Sequence, residues 1–185
     1  MASRLLALLF AFALPLHAAE VAGVKFDETA RIGQSELRLS GAGLRKRFVF
    51  VDVYAMGLYV GDPKADRVTQ GGAKRVAIRM LRDVDADTFA KALVDGMRPN
   101  HDEATMKALE PRIAELTAIM TAVGEAKKGM AIDLDWDPAA GTRVTIDGKA
   151  AGKPIAGEDF YQALLRIWLG PKPVQDDLKQ ALLGG

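Results

Sequence analysis

The segment 48–60 limits the fold more than any other part of this chain. One register of alternate residues holds Phe48, Phe50, Tyr54, Met56, Leu58 and Val60; the other holds Val49, Val51, Val53, Ala55 and Tyr59. Successive side chains of a strand point to opposite faces, so a strand apolar in both registers must be covered on both sides. Asp52 is its single charge, in the register of Tyr54, and Gly61-Asp62-Pro63 ends it. The reading is a long inner strand over 48–60. Its neighbours are a strand over 74–81, with Val76, Ile78 and Met80 on one face, and one over 34–40 around Leu37 and Leu39. Gly41-Ala-Gly43 marks a bend or bulge after the latter. A short apolar strand, 21–26, precedes them.

Beyond residue 85 the period changes from two to about 3.6. Asp85 is placed as an N-cap, and Phe89, Leu93 and Met97 recur at i+4 steps until Pro99 stops the helix. A second helix over 102–123 turns Met106, Leu109, Ile113, Leu116 and Met120 inward, with Pro111 expected to kink it or begin a new turn. Met130, Ile132, Leu134 and Trp136 then alternate with Asp133 and Asp135, and Val144 and Ile146 form the returning strand. Asp147-Gly148 is a type I′ hairpin signal into a third strand. Phe160, Leu164, Ile167 and Trp168 drive a helix ended by Gly170-Pro171, and Val174, Leu178 and Leu182 drive a last one. Strands, two helices, strands and two helices predict an α+β domain, a large mainly antiparallel sheet with helices packed on one face. Met80, Met97, Met106 and Met120 are expected as core filler.

Charge and cysteine content exclude whole classes of function. Among 185 residues, 25 Lys+Arg face 24 Asp+Glu for a net charge of +1. The Arg45-Lys46-Arg47 cluster is the longest basic run, so no footprint for nucleic acid exists. With no cysteine, a disulfide framework, thiol catalysis and thiolate metal sites are excluded. Arg4 precedes an apolar run from Leu5 to Leu16, followed by Ala18 and Ala19. This pattern reads as a secretory leader over 1–19, cleaved after Ala19 or Ala18, with a domain over 20–185 and a periplasmic or secreted destination. The run falls short of the roughly 20 residues that span a bilayer, so no membrane-spanning segment is expected after processing. His101 is the one histidine left beyond residue 19 and sits in a helix-initiating loop. It is a poor triad member or haem ligand. Asp133, Asp135 and Asp137 alternate on a strand rather than forming a calcium loop, so neither metal nor cofactor is expected.

Three motifs carry a resemblance. The stretch Gly41-Ala-Gly-Leu-Arg-Lys-Arg-Phe-Val-Phe-Val-Asp-Val-Tyr-Ala-Met-Gly-Leu-Tyr-Val60 resembles the chalcone isomerase superfamily. Asp83-Val-Asp-Ala-Asp-Thr-Phe-Ala-Lys-Ala-Leu-Val-Asp-Gly96 fits as well. Residues 157–171 through Leu183-Gly184 look like its two closing helices, as in the secreted bacterial branch. The resemblance implies an open-faced sandwich with a ligand cleft between sheet and helices. It also implies that Arg45 and Tyr54 match the arginine and tyrosine that hold a carboxylate in fatty-acid-binding members, with Arg47 as rival for the arginine. A guanidinium fork and a phenol donor at the mouth of an apolar cleft suit a carboxylate or phenolate. Phe50, Met56 and Phe89 are the expected apolar walls.

The resemblance also implies departures from the catalytic pattern. Phe89 and Gly96 stand where the plant enzymes carry a polar tyrosine and asparagine, and Gln175 where they carry a small hydroxyl residue. No catalytic residue is assigned. The expectation is an exported, non-catalytic binder of an apolar or amphipathic, fatty-acid-like ligand. The alternatives are an intramolecular lyase or isomerase acting on a chalcone-like or enone substrate, and an envelope protein whose cleft is filled by its own side chains.

Overall fold

A computed structural model describes residues 17–48 and 50–185. The strands are β1 (His17–Val21), β2 (Val24–Asp27), β3 (Thr29–Ile32), β4 (Ser35–Arg47), β5 (Val51–Val60), β6 (Lys74–Met80), β7 (Val84–Asp85), β8 (Glu125–Ala126), β9 (Ala131–Asp137), β10 (Gly141–Ile146) and β11 (Lys149–Ile155). The helices are α1 (Ala86–Met97), α2 (Glu103–Thr121), α3 (Glu158–Leu169) and α4 (Asp176–Leu182). Seven strands form an antiparallel sheet in the order β11-β10-β9-β6-β5-β4-β3. The expected α+β architecture is present, with β5 as an inner strand between β4 and β6.

The two faces of β5 are buried by different partners. Tyr54, Met56, Leu58 and Val60 join Val76, Ile78, Ile132 and Leu134 beneath the helices, against Phe89, Leu93, Leu116, Phe160 and Trp168. Ala55 and Tyr59 face the β1–β2 hairpin, whose Phe26 is buried with them. On that second face Arg75 Nε and Nη2 donate to the two carboxylate oxygens of Asp135, each at 2.6 Å, and Arg79 Nη1 donates to Asp133 at 2.6 Å. The acidic register of β9 is therefore taken up by cross-strand ion pairs.

Three local differences from the sequence reading have physical causes. The inner strand begins at Val51, not at residue 48. Phe48 takes φ +47° in the turn between β4 and β5, and Phe48 and Phe50 are 76% and 90% exposed. Apolar alternation ran through a chain reversal that no Gly, Pro or Asn announces. The segment 21–26 is split by a tight turn at Ala22-Gly23, both at positive φ, as a type I′ hairpin requires. Helix α2 runs unbroken through Pro111, which is exposed. Of the expected leader, residues 1–16 lie outside the described residues. Its last residues enter β1, with Ala19 opposite Phe26. No helix among the described residues is long and apolar enough to cross a membrane.

Gly41 and Gly43 give the expected bulge, a register shift between Leu39 and Gly41. They also seat α4. A Cβ on Gly41 would overlap the Ala181 carbonyl, and one on Gly43 would lie 2.8 Å from both Ala181 Cβ and Leu178 Cδ1. Gly41→Ala is therefore expected to lower the unfolding free energy by about 1–3 kcal/mol in urea titration.

The three tyrosines tie stability to alkaline pH. Burial, with Asp27 alongside, pushes the Tyr59 phenol up to about 12, and burial also raises Tyr54 and Tyr161. A raised acid pKa favours the protonated, folded form. That contribution is complete below the unfolded value of about 10 and is lost as pH rises through about 12 for Tyr59. The urea midpoint should fall once pH exceeds about 10, with tyrosinate absorbance appearing together with unfolding.

Candidate functional site

The site is made where the β4–β5 hairpin is irregular. Arg45 lies opposite Tyr54, Lys46 opposite Asp52 and Arg47 opposite Val51, so Val53 is the extra residue of a bulge. Its carbonyl accepts from Leu81 N at 2.9 Å, which holds the bulged strand against the end of β6. Without the bulge, Val53 and Tyr54 would point to opposite faces; with it, both line one cleft. Helix α1 gives the facing wall through Thr88, Phe89, Leu93 and Gly96. Ile167 of α3 and the link 172–174 close one end, and residues 82–85 the other. The cleft encloses about 950 Å³ and opens to solvent, at the upper end of the few hundred to about 1,000 Å³ usual for small-molecule sites.

Tyr54 is held from behind. Trp168 Nε1 donates to its oxygen at 2.9 Å, and the Phe89 ring meets it edge-on at 6.3 Å and 87°. An indole N–H only donates, so the tyrosine oxygen must accept and its own proton remains to be given. No acceptor for that proton is present among the described residues. Burial raises the phenol's pKa; Trp168 and the nearby Arg45 charge pull it partly back. Tyr54 is a neutral donor at ordinary pH.

Arg45 is held from the side by α4. Its Nη1 donates to Gln175 Oε1 at 3.3 Å and to the Lys46 carbonyl. Gln175 Oε1 also accepts from Lys46 N at 2.8 Å, and its Nε2 donates to Leu44 O at 3.0 Å. All of these acceptors are neutral, and no carboxylate pairs with Arg45 or Arg47 among the described residues. The acidic groups of the rim are engaged elsewhere. Asp85 caps α1 through Thr88 N at 2.9 Å, Asp83 accepts from Lys128 N at 2.7 Å, and Asp95 pairs with Lys91 at 2.5 Å. The β4–β5 side of the cleft is left positive.

The structure brings Arg45, Arg47, Tyr54 and Phe89 to the cleft wall. Arg45 is the arginine opposite Tyr54; Arg47 stands at the exposed rim with its guanidinium 5.1 Å over the Phe48 ring. Phe50 and Met56 do not line the cleft. Phe50 projects into solvent from the hairpin turn, and Met56 is fully buried in the core, deeper along β5. Sequence reasoning missed Val53, Leu93, Ile167 and Val174 as walls, because a bulge position and a crossing of helices leave no local trace. Trp168 had a signal, since a buried indole N–H usually finds an acceptor. His101 serves structure, its Nε2 lying 3.2 Å from Ala163 O.

On the wall opposite Arg45, the exposed Thr88 and Lys91 carry donors, while the buried positions Phe89 and Gly96 carry none. Phe89 offers a ring, and a Cβ on Gly96 would lie 2.8 Å from Ile167 Cγ2 and 3.0 Å from Val174 Cγ1. No larger side chain fits there without repacking. Gln175 props β4 rather than facing the cleft. Gln175→Ala should speed hydrogen exchange of the Lys46 amide by about tenfold, the loss of one hydrogen bond, while amides of β6 stay protected.

Comparison with known proteins agrees with this architecture. A family model described as chalcone isomerase-like matches residues 18–184. The fold is similar to the crystal structure of a fatty-acid binding protein from Arabidopsis thaliana, with a TM-score of 0.67 at 19% identity, covering 87% of this chain and 92% of that one. No curated protein matched in sequence. The match over 18–184, together with the seven-stranded antiparallel sheet carrying its helices on one face, shows that the chain belongs to the chalcone isomerase-like family.

Proposed function

We propose that this protein binds, and does not transform, an apolar small molecule with an anionic head, a fatty-acid-like carboxylate or a phenolate. One observation carries the reading. Among the described residues, an arginine without a carboxylate partner and a tyrosine whose proton has no acceptor meet at one side of a cleft with apolar inner walls and a charged rim. A carboxylate there takes the Arg45 fork and the Tyr54 proton together, and its chain lies along Val53, Phe89, Leu93 and Val174. The similarity in fold to a fatty-acid binding protein supports this ligand class. Export is part of the proposal and rests on the leader-like sequence at 1–19.

The family's fold makes lyase or isomerase chemistry the natural competitor. Cyclisation of a chalcone develops enolate charge, which needs donors aimed at it. Enzymes generally supply about 8 kcal/mol or more of transition-state stabilisation. Arg45 and Tyr54 form one such set; at the facing wall, Phe89 and the sealed Gly96 position offer none, and of the exposed donors there Lys91 is paired with Asp95.

Palmitate titration by displacement of a fluorescent fatty acid tests the binding reading. Arg45→Ala should weaken palmitate by one to three decades, corresponding to about 2–5 kcal/mol for a desolvated charge partner. Tyr54→Phe should cost at most about tenfold in affinity. It should also lower stability by about 1–3 kcal/mol, because the Trp168 N–H is left without its acceptor. Loss of a chalcone's absorbance should not exceed background with the wild-type protein. Turnover that disappears in Arg45→Ala would replace the binder with an isomerase.

A further inference from the structure

The two exposed large hydrophobic residues among the described residues are Phe48 and Phe50, at 76% and 90%, and both stand at the tip of the β4–β5 hairpin. The tip is basic. Arg45, Lys46 and Arg47 precede the aromatics, and the one acid on this stretch, Asp52, lies 3.8 Å from Lys46 Nζ. Phe48 and Arg47 also line the cleft, so the tip is continuous with its mouth. Phe48 takes positive φ, and the Arg47 guanidinium lies 5.1 Å over its ring.

From this juxtaposition we infer that the β4–β5 tip docks the protein on an anionic lipid bilayer, with Phe48 and Phe50 entering the interface and Lys46 and Arg47 meeting the head groups. Aromatic side chains projecting beyond a basic ring match the layering of a membrane surface, acyl chains below and anionic head groups above. The size of the patch argues for a bilayer over a protein. Two aromatic side chains offer roughly 300–500 Å², well under the roughly 800 Å² per partner of a stable protein interface. Docking rests on the hairpin alone. Passage of a ligand between bilayer and cleft mouth rests in addition on the function proposed above.

Sedimentation with vesicles tests it, using phosphatidylcholine alone and phosphatidylcholine mixed with phosphatidylglycerol. Phe50→Ser and Lys46→Ala are the variants, since neither side chain lines the cleft. The wild type should sediment with the mixed vesicles, remain in solution with the neutral ones, and be released by salt. Phe50→Ser should weaken partitioning by at least about tenfold and Lys46→Ala by about fivefold. Palmitate affinity measured without vesicles should be unchanged in both. Absence of sedimentation with mixed vesicles, or sedimentation indifferent to both substitutions, would overturn the docking. A concentration-dependent dimer in the absence of vesicles, abolished by Phe50→Ser, would instead assign the patch to a second copy of the chain. Palmitate binding that survives either result leaves the cleft reading standing; vesicle binding without palmitate binding removes the cleft reading and leaves the docking.

Discussion

The hydrogen bond from the Trp168 indole to the Tyr54 hydroxyl, 2.9 Å long and buried, joins the core helix α3 to the inner strand beside the cleft. Trp168 belongs to the helix that fills the core, and Tyr54 to the inner strand that forms the cleft. A buried indole N–H without an acceptor costs about 1–3 kcal/mol, so an oxygen at this position stabilises the core. Supplying that oxygen fills one acceptor position of the Tyr54 hydroxyl and leaves its proton free for another partner. A packing interaction therefore helps place the phenol hydroxyl at the cleft wall.

The cleft follows from two irregularities in one hairpin. The glycines at 41 and 43 let α4 approach the sheet closely enough for Gln175, at its start, to reach Leu44, Lys46 and Arg45. The bulge at Val53 turns that residue toward the side Tyr54 faces. Had either glycine carried a side chain, α4 would be displaced and Arg45 would lose its prop. Had the strand been regular, the cleft would lack an apolar wall beside its phenol. Arginine, phenol and apolar wall arise from how one hairpin is bent and what presses on it.

This division explains what was legible in the sequence. Strands and helices were readable because each buries one face or two, and periodicity reports burial. The N-cap Asp85, the Asp147-Gly148 turn and the bulge at Gly41-Ala-Gly43 were readable because their chemistry is local. Arg45 and Tyr54 were found through the resemblance of their segment, since spacing alone does not separate a cleft arginine from a solvated one. Phe50 and Met56 were misplaced because strand alternation assigns a face but not a depth. One stands beyond the sheet and the other under the helices. Val53, Ile167 and Val174 belong to the site only through a bulge and a helix crossing, which no short stretch of sequence encodes.

The central claim is that a carboxylate sits between Arg45 and Tyr54. It is tested most directly by nuclear magnetic resonance of a fatty acid isotopically labelled at its carboxyl carbon, titrated with acid while bound. An opposite charge within about 4–6 Å lowers a carboxyl pKa by about 1–3 units. The account therefore predicts a bound carboxylate that stays ionised to clearly lower pH than in simple solution, and that recovers ordinary titration in Arg45→Ala. A bound carboxyl that titrates normally in the wild type, or that is unaffected by Arg45→Ala, would contradict it.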